Sequence, residues 1–303
     1  MKTILITGGA GTVGTAFIEK YYDKYKFYSI SRNEKHIAEL HQKFQNVDSY
    51  IGDILNLDHL INIFETVKPD IVIHSAALKH VNLAEINSTS AVEVNIRGSL
   101  NVIKASIRAQ VPITVGVSTD KACDPDNIYG YSKRIMEKMF MEHYNEKTKF
   151  VCTRFANIAN SNGSVIPFWK NLKKQGVPLK LTSPKMNRLM FSKETSAKLI
   201  HDAYEFAKTT EKPFILSNIM KTVNMLDLAK MISDKIDIIG LRPGEKLNEI
   251  LISKKELPYT KVYKNLIFIF NDIISDPNNN LKKEHSSLTA EKMTLTELKK
   301  LIK

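Results

Sequence analysis

Short apolar runs of strand length recur along the first half of the chain, separated by longer stretches in which apolar residues return every three or four positions. The runs are Ile4-Leu5-Ile6, Phe27-Tyr28-Ser29-Ile30, Ser49-Tyr50-Ile51, Ile71-Val72-Ile73, Thr114-Val115-Gly116-Val117 and Phe150-Val151-Cys152. Near-continuous runs of this length predict parallel strands covered on both faces. Between them, segments such as Ala91 to Ala109 and Tyr131 to Tyr144 carry the helical period. Strand alternating with helix predicts an α/β protein built on a doubly wound parallel sheet.

Beyond about Asn157 the regularity breaks, and Pro167, Pro178 and Pro184 interrupt any long element. A second, smaller lobe is expected to begin there. A helix is predicted near Ser192, and Phe214-Ile215-Leu216 is predicted to return to the main sheet. The expected division is therefore discontinuous: residues 1–157 and 190–222 form the larger domain, and 158–189 and 223–303 the smaller C-terminal substrate domain.

Composition narrows the picture. With 303 residues, 43% hydrophobic and 25% charged, the chain can bury a full core and has the balance of a soluble globular protein. The apolar runs are far too short to span a bilayer, and the N-terminus leads into glycines instead of a leader cleavage site, so a cytoplasmic protein is expected. Cys123 and Cys152 are too few for a disulfide framework and lack ligand spacing; free thiols and no metal are expected. Net charge is +12. Much of it comes from Lys147 to Lys193, which holds ten Lys and Arg residues and no Asp or Glu. That window reads either as a solvated lysine face or as an anion-binding lobe, and nucleic acid, acidic membrane and phosphorylated metabolite all fit a basic lobe.

The first strand runs into Thr7-Gly8-Gly9-Ala10-Gly11-Thr12-Val13-Gly14 and then an apolar helix start. Glycines at this spacing allow a tight turn, close approach to a pyrophosphate and close packing of the next helix, whose N-terminus faces the anion. This is the Rossmann dinucleotide pattern, and no Lys-Ser or Lys-Thr follows it as a Walker loop requires. After the second strand stands Ser31-Arg32-Asn33-Glu34, where an NAD enzyme usually places an acid. Serine and arginine suit a 2′-phosphate, so NADP is expected ahead of NAD. Asp53, followed by Ile54, closes the third strand where a carboxylate can meet the adenine amino group.

After the fifth strand come Ser118-Thr119-Asp120-Lys121-Ala122 and Tyr129-Gly130-Tyr131-Ser132-Lys133. Tyr129 and Lys133, four apart, share one helical face. A free phenol ionises near pH 10, and the Lys133 ammonium is expected to bring Tyr129 down so that it can take a hydroxyl proton as a hydride leaves.

Together with the late Arg242-Pro243-Gly244-Glu245-Lys246, these motifs resemble the extended short-chain dehydrogenase/reductases. Within them, His74 to Val81, Ser118 to Ala122 and Gly163-Ser164-Val165-Ile166-Pro167 resemble the soluble UDP-N-acetylglucosamine 4,6-dehydratases that invert C5. The resemblance runs from Lys2 to about Ser253. It implies a dinucleotide set of Gly8, Gly11, Thr12, Val13, Gly14, Ser31, Arg32, Asp53, Ile54, Ala76, Ala77, Lys79, Ser118, Tyr129 and Lys133. It implies that Tyr129, Lys133 and Thr119 or Ser118 serve oxidation at C4, that Lys121 with a lowered pKa removes the C5 proton, and that Asp120 with a raised pKa protonates the departing C6 hydroxyl. Lys79, Asn157, Val165, Thr182, Arg188, Arg242 and Glu245 are implied contacts of the UDP-sugar, with Arg242 best suited to the diphosphate. His80 is read either as a core histidine or as a site residue. Asn162 stands where the family commonly has Arg, and Tyr129 where some relatives have Met.

The reaction expected is an NADP-dependent lyase acting on UDP-N-acetylglucosamine for glycan biosynthesis. The alternatives are a UDP-sugar 4-epimerase, the same dehydratase with added epimerisation, and, remotely, a non-catalytic protein binding an anion or nucleic acid. No nucleic-acid or membrane partner is expected under the leading reading, and a homo-oligomer, dimer or hexamer, is.

Overall fold

The computed structural model describes residues 1–161, 163–242, 244–274 and 277–302; Asn162 and Pro243 lie outside the described residues. All six predicted strands form: β1 (Thr3–Thr7), β2 (Lys26–Ser31), β3 (Val47–Ile51), β4 (Ile71–His74), β5 (Ile113–Thr119) and β6 (Lys149–Phe155). The helices among them are α1 (Thr12–Tyr21), α2 (Glu34–Lys43), α3 (Leu57–Val67), α4 (Val81–Ile86), α5 (Ser88–Val92), α6 (Gly98–Arg108) and α7 (Ile128–Glu142). Asparagine side chains start several of them. Asn33, Asn56 and Asn127 accept from the backbone N–H three residues on, at 3.1, 3.0 and 2.8 Å, satisfying donors that a helix start leaves open.

The predicted helix from Ala91 to Ala109 is α5 and α6 joined by a π turn over Glu93–Arg97. The extra residue in that turn positions Asn95. Its amide accepts from Leu78 N (2.8 Å) and donates to Leu78 O (3.0 Å) and Ser132 Oγ (2.9 Å). One buried side chain thus fixes the loop after β4 to α7, a use typical of π turns near functional loops.

After β6 the chain crosses into the second lobe through β7 (Asn157–Ile158), α8 (Val165–Lys174), β8 (Leu179–Leu181) and β9 (Asn187–Phe191). It returns with α9 (Lys193–Thr209), capped by Ser192, and β10 (Ile215–Asn218), which pairs parallel with β6. The rest is β11 (Lys221–Asn224), α10 (Met225–Lys230), β12 (Ile236–Ile238), β13 (Ile250–Ile252), β14 (Thr260–Tyr263), β15 (Leu266–Ile269), β16 (His285–Ser286) and α11 (Leu295–Ile302). The main sheet reads β14-β15-β10-β6-β5-β4-β1-β2-β3, so the strand order reverses between β1 and β4. This is the Rossmann doubly wound sheet, and ligands bind beyond the strand ends at that reversal. One departure concerns residues 223–303: β14 and β15 form an antiparallel hairpin on the edge of the main sheet, so this stretch does not all belong to the smaller lobe. The smaller lobe has its own core, with Ile166, Trp169, Leu179, Leu181, Leu228 and Leu298 buried together. Among the described residues, no helix is long and apolar enough to cross a membrane.

A buried ionic knot ties β6 and α7 to the segment around and after β13. Arg154 of β6 is fully buried; it donates to Glu137 of α7 at 3.0 and 2.8 Å, to Glu256 at 2.9 and 3.0 Å and to Leu251 O at 3.0 Å. Arg134 adds a second cation, 3.2 Å from Glu137 and 3.0 Å from Glu256. Chiefly through Arg154, the Glu256 carboxyl is held down to about 2 against the desolvation that opposes ionisation. Because its folded pKa lies below the unfolded one, its stabilisation is complete above about pH 4.5 and is lost as pH falls toward 2. Glu256→Ala, which takes one of its two carboxylates from Arg154, should lower unfolding free energy at pH 7 in urea titrations by no more than about 3–5 kcal/mol, the cost of a buried charge left unpaired, and the loss should shrink below pH 4.

Candidate active site

Adjoining cavities open beyond the C-terminal ends of the strands. The first, about 370 Å³, lies over the β1–α1 turn. Gly8, Gly11, Thr12, Val13, Ser31, Arg32, Asp53, Ile54, Ala76, Ala77 and Lys79 all line it. Gly8 has φ +72°, and a Cβ there would come within 2.9 Å of Ala76 N; one on Gly14 would lie 2.5 Å from Gly9 O. Gly14 is therefore a packing residue beneath the cavity, letting α1 approach the turn. A glycine-floored cradle at a helix N-terminus fits a dinucleotide pyrophosphate. Asp53 lies at the edge of this cavity. Its Oδ1 accepts from Leu55 N (3.0 Å), and its Oδ2 lies 3.3 Å from Arg32, so the carboxylate anchors the arginine at the cavity edge.

A second cavity of about 260 Å³ continues from the first and is lined by Ser118, Thr119, Asp120, Lys121, Tyr129 and Lys133. Thr119 Oγ1 donates to Asp120 Oδ1 (2.9 Å), which also accepts from Lys121 N (2.9 Å) and Lys121 Nζ (3.1 Å). Asp120 Oδ2 and Ser118 Oγ are buried without a hydrogen-bond partner, an arrangement that costs free energy unless a ligand satisfies it.

The electrostatics differ from expectation in two ways. Burial raises the Tyr129 phenol to about 12, and the cation that opposes this is Lys121, aided by a hydrogen bond with Thr119. Lys133 instead directs its ammonium to Met136 Sδ at 2.9 Å, and burial lowers it to about 8. Lys121 is not lowered: although burial pushes its pKa down, the carboxylates of Asp120 and Glu249 outweigh that and raise it above the usual lysine value. Glu249, whose Oε1 is 3.4 Å from Lys121 Nζ, is a site residue the sequence reading missed. The only sequence signal was an acid standing before the apolar Ile250-Leu251-Ile252, three positions past the Arg242–Lys246 motif.

The third cavity, about 490 Å³, is walled by the second lobe and lined by Asn157, Val165, Thr182, Arg188, Arg242 and Glu245; Lys79 faces the two neighbouring spaces. Arg188 is buried and already engaged. It donates to Asn187 O (2.9 Å), Leu247 O (3.1 Å) and Lys246 O (2.8 Å), so it braces the loop carrying Arg242. Glu245 likewise serves that loop, accepting from Arg242 N at 3.1 Å. Lys246 bonds Asp124 O (2.9 Å), and Asn127 donates to Gly244 O (3.3 Å), tying the loop to the start of α7. His80 is exposed against Gly163, not a core histidine. Part of the basic window is spent on structure: Arg154 is neutralised inside, and Lys180 pairs with Asp237 at 2.6 Å.

A Rossmann sheet with a glycine cradle at its reversal, and Tyr129 and Lys133 beside it, defines an extended short-chain dehydrogenase/reductase. More narrowly, the chain belongs to the family described as polysaccharide biosynthesis protein, which it matches over residues 4–271. It is 37% identical over 275 residues to a UDP-N-acetylglucosamine 4,6-dehydratase (inverting) of Campylobacter jejuni, covering 87% of this chain and 81% of that one. A UDP-glucose 4-epimerase of Rickettsia bellii is 34% identical over 272 residues, 84% of this chain and 79% of its own. The chain spans about half (52%) of capsular polysaccharide biosynthesis protein CapD of Staphylococcus aureus, 34% identical over 93% of this chain. Among solved structures, Pen from Bacillus thuringiensis superposes with a TM-score of 0.90 at 31% identity, covering 99% of this chain and 98% of that one.

Gly14→Ala forces α1 away from the backbone of Gly9. NADP and NAD affinity measured by calorimetry should fall at least about tenfold, with the tertiary fold retained by near-ultraviolet circular dichroism.

Proposed function

We propose that the protein is an NADP-dependent 4,6-dehydratase of UDP-N-acetylglucosamine that inverts C5. The observation that carries this reading is the Asp120–Lys121 pair, 3.1 Å apart, set between the dinucleotide cradle and the larger cavity. A nicotinamide dinucleotide in the cradle would supply an acceptor that takes and returns a hydride. The protein's own groups handle the protons. Tyr129, beside Thr119, would receive the proton of the C4 hydroxyl in its phenolate form, which burial disfavours and the Lys121 cation favours, with Ser118 as a second hydroxyl contact. A ketone at C4 acidifies C5, whose proton goes to Lys121. Asp120 gives its proton to the C6 hydroxyl, which leaves as water. Reprotonation of C5 from the opposite face inverts that centre.

The elevated proton affinity of Lys121 fits this chemistry through its partner. As an ammonium it cannot act as a base. Moving one proton across the 3.1 Å hydrogen bond to Asp120 produces the amine base and the carboxylic acid together. Arg242 is the diphosphate ligand in this reading, and Arg32 with Ser31 would favour the 2′-phosphate of NADP.

The relative named as an epimerase motivates a second reading, a UDP-sugar 4-epimerase, alone or added to the dehydratase activity. Epimerisation passes through a 4-ketone but needs neither a C5 base nor a C6 acid, and so leaves Lys121 and Asp120 without work.

Incubation with UDP-N-acetylglucosamine should give a product lighter by one water in mass spectrometry, carrying deuterium at C5 when run in heavy water; an isomer of unchanged mass would overturn the dehydratase reading. Lys121→Ala should abolish product formation while NADP still binds. Arg32→Ala should erase a preference for NADP over NAD of about tenfold or more; equal affinities in the unaltered protein would refute the cofactor choice.

A further inference from the structure

Among the described residues, Glu249 is the one buried carboxylate in contact with the reacting groups to which the chemistry above gives no task. It stands on the second lobe, just before β13, and is held there by its backbone: Glu249 N donates to Ser287 Oγ (3.0 Å), and Glu249 O accepts from Ser287 N (2.9 Å). Its side chain is buried, lines the cavity that Lys121 and Arg242 share, and lies 3.4 Å from Lys121 Nζ. Behind it, Arg188 Nη2 is 4.0 Å away. The order in space is Arg188, Glu249, Lys121, Asp120, with charges alternating.

We propose that Glu249 is the positioning residue of the proton-transfer pair, an ionised carboxylate that holds the Lys121 amine toward the substrate and stabilises the ammonium it becomes on taking a proton. The proposal rests on the dehydratase reading. Its logic is that of any base backed by a fixed anion: the base gains a proton in the step, and a preorganised charge beside it lowers the energy of the state that results. Asp120 cannot fill this role alone, because it changes charge in the same step as it gives up its proton to the C6 hydroxyl. Glu249 neither gains nor loses a proton in the step. Burial, with the neighbouring Asp120 carboxylate, raises its proton affinity above the usual carboxylate value, and the Lys121 and Arg188 cations beside it oppose that rise. No bond to carbon forms or breaks at Glu249, so the balance of the reaction is unchanged.

The role makes a distinctive demand on pH behaviour. Lys121 faces Asp120 from its own turn, Tyr129 from α7, Arg188 from β9 and Glu249 from the segment before β13, with Lys79 and His80 across the shared cavity. Replacing Glu249 by neutral glutamine removes one of the two anions acting on Lys121. The base then becomes weaker but is free of its proton at lower pH.

The test compares wild type, Glu249→Gln and Glu249→Asp with UDP-N-acetylglucosamine, protiated or deuterated at C5, across pH. For Glu249→Gln, kcat should fall about 100-fold with KM within about twofold, since the interaction acts on the transition state. The limb on which activity rises with pH should move down by about one to three units, and the C5 isotope effect on kcat should increase. Glu249→Asp keeps the charge but withdraws it; its kcat should fall about tenfold with the limb near the wild-type position. Wild-type kcat in Glu249→Gln would overturn the proposal. So would a lowered kcat with an unmoved limb and an unchanged isotope effect, which is the mark of a purely structural residue. Should Glu249→Gln fail to fold, Glu249→Asp decides: undiminished kcat there sinks the proposal. Failure of the dehydratase reading is separate, since it is seen in wild type as the absence of water loss and of C5 exchange.

Discussion

The arrangement of the site depends on a cation that touches no ligand. Arg154 sits inside the protein between a strand of the main sheet, the helix carrying Tyr129 and Lys133, and the segment that follows Glu249. Taking a guanidinium out of water is costly, and only a full set of partners offsets it. Glu137 and Glu256 provide those partners with two-pronged geometry, so the charge is stable in one relative placement of three chain segments. Side chains from the first lobe can then meet side chains from the second at distances near 3 Å. A knot of this kind contributes less to stability, relative to an apolar filling, than to a unique arrangement.

The same logic recurs nearer the site. Asn95 ties the loop after β4 to α7 through a π turn, and Arg188, Lys246 and Asn127 tie the Arg242 loop to β9 and the start of α7. The polar groups that bind or react are thus held by other polar groups with few remaining options. That matters for chemistry in which a carboxylate and an amine must exchange a proton across one hydrogen bond, because a displacement of an ångström would break the exchange.

Much of this could be read from the chain. The six parallel strands, the glycine cradle and the helix bearing Tyr129 and Lys133 follow local rules: unbroken apolar runs, glycine where backbones touch, four-residue spacing. The return of Ile215 to the main sheet was legible for the same reason. The hairpin of β14 and β15 was not, because an edge pair is defined by its neighbour more than by its own pattern. The charges were misread where they depend on partners distant in sequence. Lys121 was expected to have a lowered pKa, yet the adjacent Asp120, joined by Glu249 from 128 positions on, raises it instead. Arg154 and Arg188 looked like parts of an anion lobe; one is neutralised in the core, and the other braces a loop. Charge counted along a sequence says how many ions there are, whereas their work depends on which opposite charges the fold brings beside them.

The single hydrogen bond between Lys121 and Asp120 has a consequence for how successive catalytic cycles are linked. In the proposed reaction, Lys121 ends a cycle holding the hydrogen drawn from one sugar, and Asp120 ends it bare. Resetting the pair by passing that hydrogen along the bond would arm Asp120 with it. Because the Lys121 ammonium holds three equivalent hydrogens, a share of the water expelled from the next sugar would then carry an atom taken from the previous one, a partial one-turnover memory that exchange with solvent erases.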